Sequence, residues 1–196
     1  MIKKIWRKFL TVFGDIKIFK FPMFIVYQPK GYRVMGAEIE KILNIVKEGD
    51  ILVRGYYDYL DGKFIDGFFS HAGFYYGENK VIHAIAEGVV EGHLIDFCKC
   101  DYLAIIRFYP ENINEEDIKL AKEKALSIIG YAYDFEFDGG ENELYCTKAV
   151  LEIWKHKSDI LNIVPIKSMF NRYVIFPDQL YNCNSLDKIF KTSNVV

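Results

Sequence analysis

Ser70-His71-Ala72-Gly73-Phe74-Tyr75-Tyr76 and Lys80-Val81-Ile82-His83-Ala84 are two aromatic and β-branched runs on either side of Gly77-Glu78-Asn79. That pattern predicts a β-hairpin. With those three residues as the turn, 76 pairs with 80 and 73 with 83. His71 and His83 then share a face as diagonal neighbours, about 7–8 Å apart at Cα and within reach of one another's rings. Two imidazoles so placed are either satisfied core groups or parts of a site.

The chain leads into this hairpin through a predicted helix, Gly36 to Lys47, with Ile39, Ile42, Leu43 and Val46 on one face. Glu38 and Glu40 in its early turns and Lys47 in its last suit the helix dipole, and Gly49 fits the position after its end. Asp50 to Arg54 reads as a strand, and the polar, aromatic stretch from Gly55 to Gly67 as a candidate rim. After the hairpin, Gly88–Phe97 and Tyr102–Tyr109 read as two further strands, with His93 an ordinary strand residue. Asn114 to Ile129 carries the clearest helix pattern: Asn114 as N-cap, acidic residues at 115–117 and Gly130 at the end.

A glycine loop at 138–142 precedes another predicted helix, Glu143 to Lys157, which buries Cys146, Ala149, Val150, Ile153 and Trp154. Short strands are expected at Leu161–Ile166 and Tyr173–Phe176, then Pro177-Asp178-Gln179-Leu180-Tyr181 and a loosely patterned end. Consecutive antiparallel strands with helices outside them define an α+β fold. Residues 1–30 read as an amphipathic and extended N-terminal extension and 31–196 as one domain. In residues 2–13, Ile2, Ile5, Trp6, Phe9, Leu10 and Phe13 share a helical face opposite Lys3, Lys4, Arg7 and Lys8. Such a helix either packs on the domain or contacts a membrane surface.

Of 196 residues, 51% are hydrophobic, enough for a full core. The net charge of −2 argues against a nucleic-acid partner. No apolar run reaches the ~18 residues of a spanning helix, and none resembles a secretory leader. A cytoplasmic location with reduced thiols, and at most peripheral membrane contact, is the expectation. Among the four cysteines, Cys98 and Cys100 lack the spacing of a zinc clip. Cys183 reads as a bystander.

Cys146 falls in the first turn of its helix, where unpaired N–H groups lower a thiol's pKa and can hold an oxyanion. His71 would act as general base and then acid, and His83 would fix its tautomer. The same three residues offer the donors of a zinc site. A binding module without catalysis is the other alternative.

The ordered motifs Ser70-His71-Ala72-Gly73-Phe74-Tyr75, Val81-Ile82-His83-Ala84, Gly130-x-x-Tyr133-Asp134 and Tyr145-Cys146-Thr147-Lys148-Ala149-Val150 resemble the YiiX-like proteins. These are circularly permuted NlpC-type, papain-like cysteine peptidases and amidases, related to the lecithin:retinol acyltransferases. Gly49-Asp50-Ile51 and Pro177 to Tyr181 also match the family pattern. The resemblance implies a bent antiparallel sheet or small β-barrel with the cysteine helix packed against it. It implies Cys146 as nucleophile, His71 as base and His83 as third polar residue, with Tyr133 and Tyr145 at the substrate. It implies a thiol hydrolase or acyltransferase without cofactor or metal, acting on a peptide, including murein, or on a lipid acyl group. The chain departs from the family at His83, where YiiX-like proteins often have Glu, and at Thr147 and Lys148.

Overall fold

The structure is a computed structural model that describes residues 32–56, 67–167 and 172–192, and the backbone of 16–18 and 25–27. The amphipathic segment 2–13 and most of the expected rim between 55 and 67 lie outside these residues. The described elements are β1 (Ile16–Ile18), β2 (Ile25–Tyr27), α1 (Gly36–Ile45), β3 (Ile51–Gly55), β4 (His71–Gly77), β5 (Lys80–Ile85), β6 (Gly88–His93) and α2 (Leu94–Phe97). They continue with β7 (Tyr102–Phe108), α3 (Glu115–Ser127), α4 (Cys146–Ile153), α5 (Ser158–Leu161), β8 (Ile166–Lys167), β9 (Tyr173–Val174), α6 (Pro177–Tyr181) and β10 (Leu186–Lys191).

Six strands form one antiparallel sheet in the order β10-β7-β3-β4-β5-β6. It is the bent sheet of the expected α+β class, and it stays open rather than closing into a barrel, because β10 and β6 are its two edges. Alternation along the strands gives it two apolar faces. Ile51, Val53, Ala72, Phe74, Ile82, Ala84 and Ile106 pack with Ala121 and Ala125 of α3 and Ala149, Val150 and Ile153 of α4 around Trp154. Leu52, Tyr75, Val81, Leu103 and Ile105 pack on the other side with Ile42 of α1 and Leu94 and Phe97 of α2. Asp50, fully buried just before β3, is held by a fork from Arg107: Nε to Oδ1 at 2.6 Å and Nη2 to Oδ2 at 2.8 Å.

Several elements differ from the sequence reading, each for a local reason. The hairpin closes with a two-residue turn, since Gly77 pairs with Lys80 and both Glu78 and Asn79 have positive φ. That is the turn whose twist matches paired strands. The extra residue, Tyr76, is bulged, and Phe74 and Tyr75 still pair with Ile82 and Val81 as the pattern predicts. The strand expected through Phe97 stops at His93, whose ring caps α2 by accepting from the Ile95 amide at 3.2 Å. The last predicted helix starts three residues late, at Cys146. Asn142 is instead a turn residue with positive φ and Glu143 bridges Ala132, with Ala132 donating to Asn142 O and Leu144 donating to Ala132 O, both at 2.9 Å.

The expected strand at 161–166 contains the end of α5 and only the first residue of β8, and the N-terminal extension expected over 1–30 contains the β1–β2 pair. The loosely patterned tail supplies β10, an edge of the main sheet. By contrast α3 follows its caps closely: Asn114 and Asp117 exchange side-chain-to-amide bonds of 2.9 and 3.0 Å.

Candidate active site

β4 carries both halves of the site. From Phe74 to Gly77 it pairs with β5, but residues 71–73 pair only with β3. The paired register of β4 and β5 therefore ends at Phe74, although the strands stay close, since a Cβ on Gly73 would lie 3.3 Å from His83 Cβ. On the side without a rung the Ala72 amide hydrogen-bonds the Cys146 sulfur. The Thr147 amide and the amide of Cys146 itself also reach Sγ, and Thr147 Oγ1 lies 3.8 Å from it. Cys146 is the first residue of α4, after Tyr145 as N-cap.

The imidazoles line the same end of β4 and β5. His71 Nε2 and His83 Nδ1 share a hydrogen bond of 2.8 Å. One of the two rings must donate, so the pair has only two neutral arrangements. If His71 donates from Nε2, its Nδ1 keeps a lone pair and can act as base. Both rings pack on Phe97, at centroid distances of 5.6 and 5.5 Å. Glycines make room for them. A Cβ on Gly92 would meet His83 Nε2 at 2.7 Å, and one on Gly73 would meet the Phe97 ring at 2.9 Å.

Arg54 stands opposite His71 in the β3–β4 ladder. Its Nη1 donates to Phe97 O at 3.0 Å, and its guanidinium lies 4.5 Å from the Phe97 ring centre. Burial, then the Arg54 charge, then His83 hold His71 well below the ordinary histidine range. Burial and Arg54 hold His83 at about 4. Both rings are neutral at pH 7.

The thiol departs from the expectation of a lowered pKa. Burial raises it, and the Ala72 amide, the Thr147 hydroxyl and the two local amides only partly offset this. Desolvation outweighs a helix terminus whose charge is about half a unit. The resting pair is therefore a neutral thiol and a neutral imidazole, and the sulfur is engaged by amides and Thr147 rather than by a ring nitrogen.

Tyr133 packs against both the main core and a small cluster of Tyr145, Val174 and Phe176. Burial, Cys146, Asp134 and Tyr145 raise its phenol. Tyr145 is buried, and its hydroxyl accepts from the Ile175 amide at 3.1 Å. Cys98 and Cys100 are buried thiols pushed up by desolvation, Cys98 to about 12. Cys183 donates to Leu161 O at 3.4 Å. Among the described residues, His71, His83 and Cys146 do not form a group with all donor atoms within 4.8 Å of one another, whereas Asp134, Asp138 and Glu143 do.

Sequence reasoning missed Arg54, Phe97 and Gly92. None carries a signal without the register that sets it against the histidines. The acidic trio was missed too, although the glycine loop at 138–142 stood out.

An open antiparallel sheet with a cysteine helix against a two-histidine strand pair is the architecture of permuted papain-like proteins. The profile of the permuted papain-like amidase enzymes, YaeF/YiiX, C92 family, matches residues 45–190, and the chain belongs to that family. Among solved structures it is similar to the metalloprotein yiiX from Escherichia coli O157:H7, DUF1105, with a TM-score of 0.60 and 16% identity over 76% of this chain and 98% of the other. That likeness concerns the fold. No curated protein sequence matches the chain. Membership supports an amidase or hydrolase type of activity on peptide or amide bonds in general. Among the described residues no helix is long and apolar enough to cross a membrane.

Proposed function

We propose that residues 31–196 form a cysteine-dependent amidase or peptidase domain that works through an acyl-enzyme on Cys146, with acyl transfer to another acceptor as a variant of the same step. The observation that carries this reading is the 2.8 Å bond between His71 Nε2 and His83 Nδ1 at the strand whose next amide holds the Cys146 sulfur. His71 Nδ1 takes the thiol proton as Sγ attacks the carbonyl carbon, and returns it to the leaving amine. The C–N bond breaks and a thioester forms; water then attacks the thioester and restores the thiol. Because both partners are neutral at rest, the proton moves during attack rather than before it. That requires the imidazole to approach the sulfur in the substrate complex, where catalytic hydrogen bonds commonly tighten.

The amides of Cys146 and Thr147 at the start of α4 are donors for the developing oxyanion. His83 keeps His71 in the required tautomer, and Tyr133 lines the substrate side. The substrate is a peptide, murein included, or a lipid acyl group. Contact of residues 2–13 with an anionic membrane belongs to the same proposal, and deletion of 1–13 should weaken sedimentation with anionic liposomes.

Intact-mass measurement with a panel of acyl esters, amides and murein peptides tests the mechanism. The expected result is a covalent adduct on Cys146, absent in the His71→Ala variant. Iodoacetamide should label Cys146 faster than Cys183. Equal rates, unchanged by His71→Ala, would favour the binding module.

A second reading is a metal-dependent enzyme. The similar solved structure bears the description metalloprotein, and Asp134, Asp138 and Glu143 bring three carboxylates within 4.8 Å. An all-oxygen donor set suits a hard cation such as Ca²⁺, Mg²⁺ or Mn²⁺ better than Zn²⁺. The fit is incomplete, because Asp134 already accepts from the Gly139 amide at 3.1 Å and the Lys148 ammonium lies beside that loop. His71, His83 and Cys146, whose donor atoms do not all lie within 4.8 Å of one another, fit zinc less well and would have to draw together to hold it. Metal content of the purified protein separates these cases. Stoichiometric metal lost in Asp134→Asn supports the acidic trio, metal lost in Cys146→Ala supports a zinc site, and a Cys146 adduct on metal-free protein supports the thiol mechanism.

A further inference from the structure

β4 begins at His71, yet the group that fixes its approach comes from far along the chain. The Phe68 amide donates to Asp178 Oδ1 at 2.8 Å, and the Phe69 amide to Asp178 Oδ2 at 2.7 Å. The next amide, that of Ser70, donates to Arg54 O at 2.9 Å. Three consecutive N–H groups ahead of His71 are thus claimed, two by one carboxylate and one by β3. His71 follows, paired with Arg54.

The carboxylate is itself held firmly. Asp178 is the second residue of α6, after Pro177. Gln179 Oε1 accepts from the Phe176 amide at 2.9 Å, and its Nε2 donates to Val164 O at 2.7 Å. Leu180 and Tyr181 anchor α6 in the core, and the Tyr181 ring lies 5.0 Å from that of Phe69. On the other side the chain descends directly onto the carboxylate at Gly67. Its φ of +126° and the overlap of any Cβ there with Asp178 leave glycine as the residue that fits. Two amides on one carboxylate fix direction as well as position, since each bond must stay near its own oxygen.

We propose that Asp178 is a positioning residue for His71: its carboxylate clamps residues 68 and 69 so that the imidazole two residues on meets His83, next to the Ala72 amide that engages the Cys146 sulfur. The assignment rests on the thiol–imidazole reading only for what His71 then does. A displacement of about 1 Å at a reacting group costs about 100-fold in rate, and that is the loss expected when the clamp is released.

Asp178→Asn tests it, because the amide keeps one acceptor but turns an NH₂ toward the second N–H. Leu186→Ala serves as a control that disturbs the same core from β10. The readouts are the ring ¹⁵N signals of His71 and His83 and the rate of Cys146 alkylation by iodoacetamide as a function of pH. The proposal expects folded Asp178→Asn to show displaced His71 ring signals and about 100-fold slower alkylation, with neither change in Leu186→Ala. Ring signals identical to those of the parent protein in folded Asp178→Asn would overturn it. Displaced ring signals with unchanged alkylation would keep the clamp and remove His71 as the base. If Asp178→Asn does not fold, hydrogen exchange in the parent protein decides. Slow exchange at the Phe68 and Phe69 amides supports the clamp, and exchange as fast as in an open loop refutes it.

Discussion

Acid should weaken this protein through His83, and the effect can be worked from the site. In the unfolded chain His83 titrates near 6.5; in the fold, burial and the Arg54 charge hold it at about 4. The unfolded state therefore takes up a proton before the native state does. The neutral ring's contribution is fully present above pH 6.5 and is lost as pH falls from 6.5 toward 4. At about 1.36 kcal/mol per pH unit for one proton, His83 accounts for about 3 kcal/mol across that window. His71, lowered by burial, Arg54 and His83, acts in the same direction. Against a net stability of about 5–15 kcal/mol this is a large fraction. Urea unfolding at half-unit steps from pH 7 to 4.5 measures it, with His83→Gln as the comparison. Carboxylates are common to both proteins, so the difference in slope isolates the ring, and the variant should be shallower by about 1.4 kcal/mol per pH unit. A stability that stays flat from pH 6.5 to 4.5 in the parent protein, or equal slopes in the two, would refute the reasoning.

Three other outcomes are expected. Arg54→Met should move His83 upward from about 4, because it removes the second cause of the depression, and a ¹⁵N titration of the ring reads this directly. Gly92→Ala places a Cβ 2.7 Å from His83 Nε2, so the ring must shift; the His71–His83 coupling should be lost at a cost of about 1–3 kcal/mol in urea unfolding. Arg107→Met leaves the Asp50 carboxylate buried without its fork, and urea unfolding should show a loss of about 3–5 kcal/mol.

The legible part of the site was the part carried by short-range pattern. His71 and His83 are twelve residues apart on one hairpin, so alternation alone predicted that they share a face, and their ring nitrogens lie 2.8 Å apart. The turn was misread because a bulge at Tyr76 absorbs one residue and restores the register beyond it. The Cys146 pKa was misread for a different reason. The helix terminus is visible in the sequence, whereas the desolvation that outweighs it depends on what packs over the sulfur.

By itself the sequence determined the hairpin, the caps of α3, the thiol in a first helical turn and the family pattern. These depend on neighbours within about one turn or one strand, where backbone geometry fixes the spacing. Only the tertiary structure decided that β10 forms one edge of the sheet, that the Ala72 amide of β4 meets the sulfur, that burial and Arg54 keep the imidazoles neutral, and that Asp178 holds the approach to His71. Each joins residues far apart in the chain, and no local periodicity encodes such a meeting. It follows from the register of six strands and from the surfaces they bury.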